Sequence, residues 1–92
     1  MIPPPEKILI IRFSSLGDIL LSTPLISLLK KQFPETQIDF LVKSEYAELV
    51  KHHQALNRVI EFDASAGFAG LRRLKKQLLQ QHYRVVIDIH RN

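Results

Sequence analysis

The sequence has no cysteine and no tryptophan among its 92 residues. Without cysteine, the chain can hold neither a disulfide nor a cysteine-ligated zinc or iron–sulfur site. Its longest aliphatic runs, residues 8–11 and 19–21, are far too short to cross a bilayer. The first residues also lack the basic and apolar stretches of a secretory signal. These absences favour a reducing compartment, and we expect a cytoplasmic location.

Aromatic residues are few as well, with two tyrosines and five phenylalanines spread along apolar positions. Binding of single-stranded nucleic acid relies on clustered aromatic platforms, so we expect no nucleic-acid partner. Hydrophobic residues make up 46% of the chain and charged residues 24%. Together with the length, this composition is typical of one globular domain.

Basic charge is concentrated in the second half of the chain. Residues 1–50 carry a net charge of −1 and residues 51–92 carry +5. Such asymmetry indicates an anionic partner near the basic half, for example a phosphorylated substrate or an anionic lipid. A solvated basic surface explains the same charges. A peripheral contact with an anionic membrane surface would use four residues of one predicted helix, Arg72, Arg73, Lys75 and Lys76.

Hydrophobic patterning predicts alternating strands and helices behind a proline-rich leader over residues 1–6. The predicted strands are residues 7–12, 36–42, 58–62 and 83–89, and the predicted helices are residues 18–33, 44–53 and 68–82. This order indicates an α/β domain with a parallel, Rossmann-like sheet and right-handed crossovers. The expected strand order is 3-2-1-4. The fourth strand would then be an apolar edge, so we expect an incomplete fold that self-associates through that strand.

The first predicted helix carries a wide apolar face, for which the sequence gives six candidates: Leu21, Leu25, Ile26, Leu28, Leu29 and Phe33. Asp18 is expected in its first turn, where a carboxylate is favoured by the helix dipole. Pro24 is expected to kink this helix or to shorten its first turns. Ser44 is the expected cap of the second helix.

A ligand site is expected where the strand order reverses, beyond the carboxyl ends of the first and fourth strands. This position brings residues 13–18 together with His90, Arg91 and Asn92. Gly17 allows close backbone approach, and Ser14 and Ser15 offer hydroxyl groups. Arg91 could pair with a phosphate or carboxylate of a ligand, or it could belong to an exposed tail.

Asp18 is the one carboxylate of this loop, which is neither a Gly-x-Gly-x-x-Gly motif nor a P-loop. A carboxylate here could accept a proton as a general base, or it could simply stabilise the first helical turn. His52 and His53 have no third ligand at a suitable spacing, so we expect surface histidines there. We therefore expect no metal and no cofactor in this chain.

The segment from Arg12 to Pro24, RFSSLGDILLSTP, resembles the opening of the family 9 glycosyltransferases, the ADP-heptose:lipopolysaccharide heptosyltransferases. Residues 38–42 and 88–92 are similar in character to the second and fourth strands of that family. The resemblance covers nearly the whole chain from Lys7.

The resemblance implies a GT-B fold, in which two Rossmann-like domains face a cleft. Residues 7–92 would be part of the amino-terminal domain, which holds the lipopolysaccharide core acceptor. The ADP-sugar donor would bind to a carboxyl-terminal domain that this sequence does not contain. Transfer would invert the anomeric centre without a protein-bound metal, and Asp18 would be the general base. The alternative is a non-catalytic α/β module that binds an anion or docks on a partner.

Overall fold

A computed structural model describes residues 4–13 and 16–89. The elements in chain order are β1 (Lys7–Ile11), α1 (Leu16–Gln32), β2 (Gln37–Lys43), a 3-10 helix (Ser44–Leu49), β3 (Arg58–Phe62), a 3-10 turn (Ala64–Ala66), α2 (Gly67–Gln80) and β4 (Val85–Asp88). All three strand pairings are parallel. The sheet order is β3-β2-β1-β4, so the predicted fold class and strand order are confirmed.

The alternation of side chains along the central strands separates the core into two layers. Ile8 and Ile10 point to one face and pack with Ile19 and Ile26 of α1. Leu9 points to the other face and packs with Leu74 of α2. The helices therefore lie on opposite faces, as right-handed crossovers in opposite directions require. All three strand residues are buried, as expected of a strand covered on both faces.

The buried face of α1 differs from the predicted one. Its buried residues are Ile19, Ser22 and Ile26, whereas Leu21 is 77% exposed and Leu28 is 54% exposed. The prediction was wrong for these two leucines because α1 has apolar residues on nearly every side. Periodicity then cannot show which side meets the sheet.

Pro24 neither ends nor shortens α1, which runs from Leu16 to Gln32. Proline has no N–H to donate to the carbonyl of Leu20, four residues earlier. The hydroxyl of Thr23 donates to that carbonyl instead, at 2.8 Å. The adjacent threonine therefore satisfies the acceptor that the proline leaves open, and the helix continues.

Other elements differ from the expectation at their ends. The predicted second helix is a 3-10 helix, and Ser44 is its first residue rather than its cap. β4 is shorter than predicted, and Val85 and Val86 are 39% and 53% exposed because the described structure covers only one edge of this strand. None of the helices in the described ranges has the length and apolarity that crossing a membrane requires.

Candidate functional site

Asp18 lies in the first turn of α1, as predicted, directly beyond the carboxyl end of β1. Its side chain is 48% exposed. The position follows from the chain order, because the helix that follows a parallel strand starts at the carboxyl edge of the sheet. The carboxylate is thus both fixed by a helix and open to a ligand.

Arg12 holds this carboxylate in place. It follows the last residue of β1 and is buried, with 7% of its side chain exposed. One guanidinium nitrogen lies 2.5 Å from Oδ2 of Asp18, and another donates to the carbonyl of Ile89, also at 2.5 Å. The planar fork of arginine can bind two acceptors at fixed angles. Arg12 therefore ties the start of α1 to the residue that follows β4.

The same residues line an open depression of about 250 Å³. Arg12 and Asp18 form its polar side, and Leu21, Leu25 and Ile89 form its apolar side. The N–H of Ile89 also donates to the carbonyl of Ile11, at 3.1 Å, which keeps the ends of β1 and β4 together. As predicted, the end of β1 and the start of α1 lie next to the end of the fourth strand, and the described contacts reach Ile89.

The other predicted site residues stay predictions. Gly17 lies beside Asp18, and a Cβ added there would meet nothing within 4 Å, so packing within the described chain does not require glycine at this position. The remaining five, Ser14, Ser15, His90, Arg91 and Asn92, lie outside the described residues.

The two neighbouring histidines lie away from the depression. His53 Nε2 is 3.3 Å from the Ser27 hydroxyl, and His53 Nδ1 accepts a hydrogen bond from the N–H of Ala55. His52 is 3.9 Å from Glu48. Within residues 4–13 and 16–89, no group of three histidines or carboxylates could hold a metal ion.

Two features were missed by the sequence reasoning. The first is Arg12, although a lone charge that ends an aliphatic strand just before the loop was an available signal. The second lies at the amino ends of the strands, away from the depression. There the buried carboxylate of Asp39 accepts hydrogen bonds from the hydroxyl of Tyr83 and the amide of Asn57. Burial and the Asp39 contact raise the pKa of Tyr83 well above its ordinary value. Asp39 looked like the polar half of an alternating strand, and nothing in the sequence linked it to Tyr83.

Comparison with known proteins bears on the family to which this chain belongs. Lipopolysaccharide heptosyltransferase 1 of Pseudomonas aeruginosa is 30% identical over 89% of this chain. The structure of E. coli heptosyltransferase WaaC with ADP matches 89% of the chain at a TM-score of 0.68 and 30% identity. The chain belongs with the family 9 glycosyltransferases. No protein-family model matches it.

A third comparison supports the fold. The glycosyltransferase family 9 structure from Veillonella parvula covers 95% of this chain at a TM-score of 0.85 and 21% identity. The chain spans about a quarter of the length of each of these three proteins, between 26% and 27%. It therefore corresponds to one part of a family 9 enzyme.

Proposed function

We propose that this chain is the acceptor-binding part of an inverting glycosyltransferase that transfers heptose from ADP-heptose to the inner core of lipopolysaccharide. The relatives named heptosyltransferase support this reaction class. The assignment of this chain to the acceptor side rests on one observation, the Arg12–Asp18 pair. This pair lines the depression at the place where the strand order reverses.

The reaction needs a base at the acceptor. In an inverting transfer, the acceptor hydroxyl attacks the anomeric carbon while the bond from that carbon to ADP breaks. The hydroxyl loses its proton in the same step. Asp18 accepts this proton in the proposal, and Arg12 keeps the carboxylate pointed at the depression. Leu21, Leu25 and Ile89 supply an apolar wall on which a sugar ring can rest.

The geometry favours this role over an anion-binding module. A helix start attracts anions through its free N–H groups. In α1 that turn already contains the Asp18 carboxylate, and the guanidinium of Arg12 is engaged by that carboxylate and by the carbonyl of Ile89. The depression therefore suits a hydroxyl-bearing ligand, with any anionic groups of the acceptor placed farther away.

Acceptor binding by the chain itself tests the assignment. We expect lipid-free inner-core oligosaccharide, titrated into the ¹⁵N-labelled chain, to shift the amide resonances of Asp18, Leu21 and Ile89. ADP-heptose at millimolar concentration should shift none of them. Asp18→Asn should retain binding, and Asp63→Asn is the matched control, because Asp63 lies after β3 and bonds to Ser65.

Two results would contradict the proposal. Saturable binding of ADP-heptose in the micromolar range would assign this chain to the donor side. Acceptor-induced shifts confined to residues around Asp63 would move the site to another strand.

A cytoplasmic location with a peripheral contact at the inner membrane is part of the same proposal. α2 exposes all four of the basic residues in its middle, Arg72, Arg73, Lys75 and Lys76. Each basic residue near an anionic surface contributes about 1 kcal/mol to membrane binding. We expect the chain to co-sediment with vesicles containing anionic lipid and to be released by salt.

A further inference from the structure

We propose that the outward side of α2 lies on an anionic lipid bilayer and that Phe68 inserts its ring at the headgroup level. This inference rests on the peripheral membrane contact of the proposed function and gives that contact an apolar anchor and an orientation. Leu74 packs against the central strands, so the opposite side of α2 points away from the sheet. The residues on that outward side decide which partner the helix fits.

Three residues form a row along the outward side of α2. Phe68, Arg72 and Lys76 follow one another at intervals of four residues, which places them in line on a helix. Arg72 and Lys76 each stand two residues from Leu74 and therefore about 160° around the helix from it. All three residues of the row are exposed, and Phe68 is 86% exposed. The row thus combines one large apolar ring with two cations on a surface that faces away from the sheet.

The basic residues of α2 have no anionic partner in the part of the chain that the structure describes. The helix contains no aspartate or glutamate. Its four cations form no ion pair with residues 4–13 or 16–89; they are Arg72, Arg73, Lys75 and Lys76. Charged residues are depleted from the centres of protein–protein interfaces. A face with four unpaired cations therefore fits an anionic surface better than the apolar face of another protein domain.

The turn before α2 fixes Phe68 at the amino end of the helix. Gly67 has a φ of 64°, in the left-handed region that favours glycine, and it joins the preceding 3-10 turn directly to α2. Beside Phe68 lies an apolar cavity of about 220 Å³, which Phe62 and Leu71 also line. The exposed ring is therefore part of an apolar patch next to the cations. Helices that lie at the boundary of headgroups and acyl chains combine basic residues with phenylalanine or leucine in this way.

A nucleic acid would offer the same negative charge as a bilayer but no apolar layer. Proteins that bind single strands stack successive bases on several aromatic side chains. Phe68 is the one aromatic residue of α2. The pairing of a single exposed ring with unpaired cations therefore favours the bilayer.

Insertion of Phe68 orients the candidate site. α2 begins beyond the carboxyl end of β3, and Asp18 lies beyond the carboxyl end of β1. In a parallel sheet these two ends lie at the same edge. A bilayer that holds the amino end of α2 therefore lies near the edge that carries the depression. An acceptor anchored in that bilayer reaches Asp18 from the membrane side.

Tryptophan fluorescence tests the insertion, because the chain has no tryptophan of its own. Phe68→Trp introduces a single reporter. Leu28→Trp is the matched control, since Leu28 is 54% exposed and α1 packs on the other face of the sheet. With vesicles of phosphatidylcholine and phosphatidylglycerol, we expect the emission of Phe68→Trp to shift to shorter wavelength and to be quenched by brominated acyl chains. The emission of Leu28→Trp should change in neither respect.

Co-sedimentation with the same vesicles measures the contribution of the ring. Because burial of a phenylalanine side chain contributes strongly to transfer from water, we expect Phe68→Ser to weaken binding at least tenfold at constant salt. Leu28→Ser should leave binding unchanged. The double variant Arg72→Glu and Lys76→Glu should abolish binding, and circular dichroism verifies that each variant is folded.

Three results would overturn the proposal. Binding that salt releases but that Phe68→Ser leaves unchanged would exclude the insertion, while the charge-based contact of the proposed function would stand. Absence of any vesicle binding would exclude both membrane contacts, and the titration with lipid-free oligosaccharide would still decide the acceptor assignment. Tighter binding to an oligonucleotide than to the vesicles at the same salt concentration would assign the row to a nucleic acid instead.

Discussion

Tyr83→Phe removes one hydroxyl at the amino end of β4, and we expect this substitution to destabilise the chain markedly. That hydroxyl donates to Asp39, a residue that is only 1% exposed. The other carboxylate oxygen has Asn57 as its donor at 3.5 Å, which is the outer limit of a hydrogen bond. Tyr83 is therefore the principal partner of a buried carboxylate.

The expected magnitude follows from this asymmetry. A hydrogen bond to a charged group contributes about 1.5–3 kcal/mol, and its loss leaves a buried acceptor unsatisfied. Phenylalanine fills the same volume, so no cavity adds to the cost. We expect Tyr83→Phe to lower the free energy of unfolding by about 2 kcal/mol, out of the roughly 5–15 kcal/mol of a small domain. Urea unfolding followed by circular dichroism at pH 7 measures this change.

The pH dependence gives a second readout. The pKa of Tyr83 is raised in the folded chain, with burial as the largest cause and the Asp39 hydrogen bond next. Above the ordinary tyrosine pKa of about 10, the unfolded chain loses the phenolic proton while the folded chain keeps it. The stabilisation is therefore fully present below pH 10 and is lost as the pH rises further. We expect the wild-type chain to lose stability more steeply above pH 10 than Tyr83→Phe does.

Tyr46→Phe is the matched control. The hydroxyl of Tyr46 makes no hydrogen bond with the described residues, and its ring packs against the core on the α1 face. We expect a change below about 0.5 kcal/mol for this variant. Equal stability of Tyr83→Phe and the wild-type chain would refute the reasoning, because Asp39 would then have to be satisfied by other means.

Three further predictions concern α1 and its first turn. In an enzyme that contains this segment and the donor domain, Asp18→Asn should lower kcat by roughly 10²–10⁴ with little change in acceptor affinity; normal turnover would exclude the base. Arg12→Lys keeps the charge but loses the fork, and should lower kcat by up to about a hundredfold while leaving KM nearly unchanged. Pro24→Ala should raise the free energy of unfolding by about 1–2 kcal/mol in urea titrations, since alanine restores the helical bond to Leu20.

The sheet was predictable because its signals are local and strong. Ile8–Ile11 is a run of four aliphatics that suits a strand buried on both faces, and β3 was predicted with the same bounds that the structure shows. The strand order followed from the element order and the handedness of crossovers. Asp18 could be placed in the first turn of α1 because the turn-forming residues after β1 mark the approximate start of the helix, which begins at Leu16, two residues before the predicted start.

Long-range polar contacts were not predictable in the same way. Arg12 and Ile89 are far apart in sequence, and so are Asp39 and Tyr83, so that neither contact leaves a periodic signal. The exposed flank of α1 was missed for a different reason. Leu21 and Leu28 are as apolar as the buried Ile26, and only the position of the sheet decides which of them is covered.

These long-range contacts explain how an edge strand can form part of a site. β4 is short and has one neighbouring strand in the described structure. At its amino end, Tyr83 reaches across β1 to Asp39 on β2, and at its carboxyl end Arg12 binds the carbonyl of Ile89. Each contact ties β4 to a residue of the buried central strands or the turn directly after them. The position of Ile89, and with it the wall of the depression beside Asp18, therefore depends on two buried polar side chains. For this reason we expect loss of Tyr83 to loosen the site as well as the fold, although Tyr83 lies at the opposite end of β4.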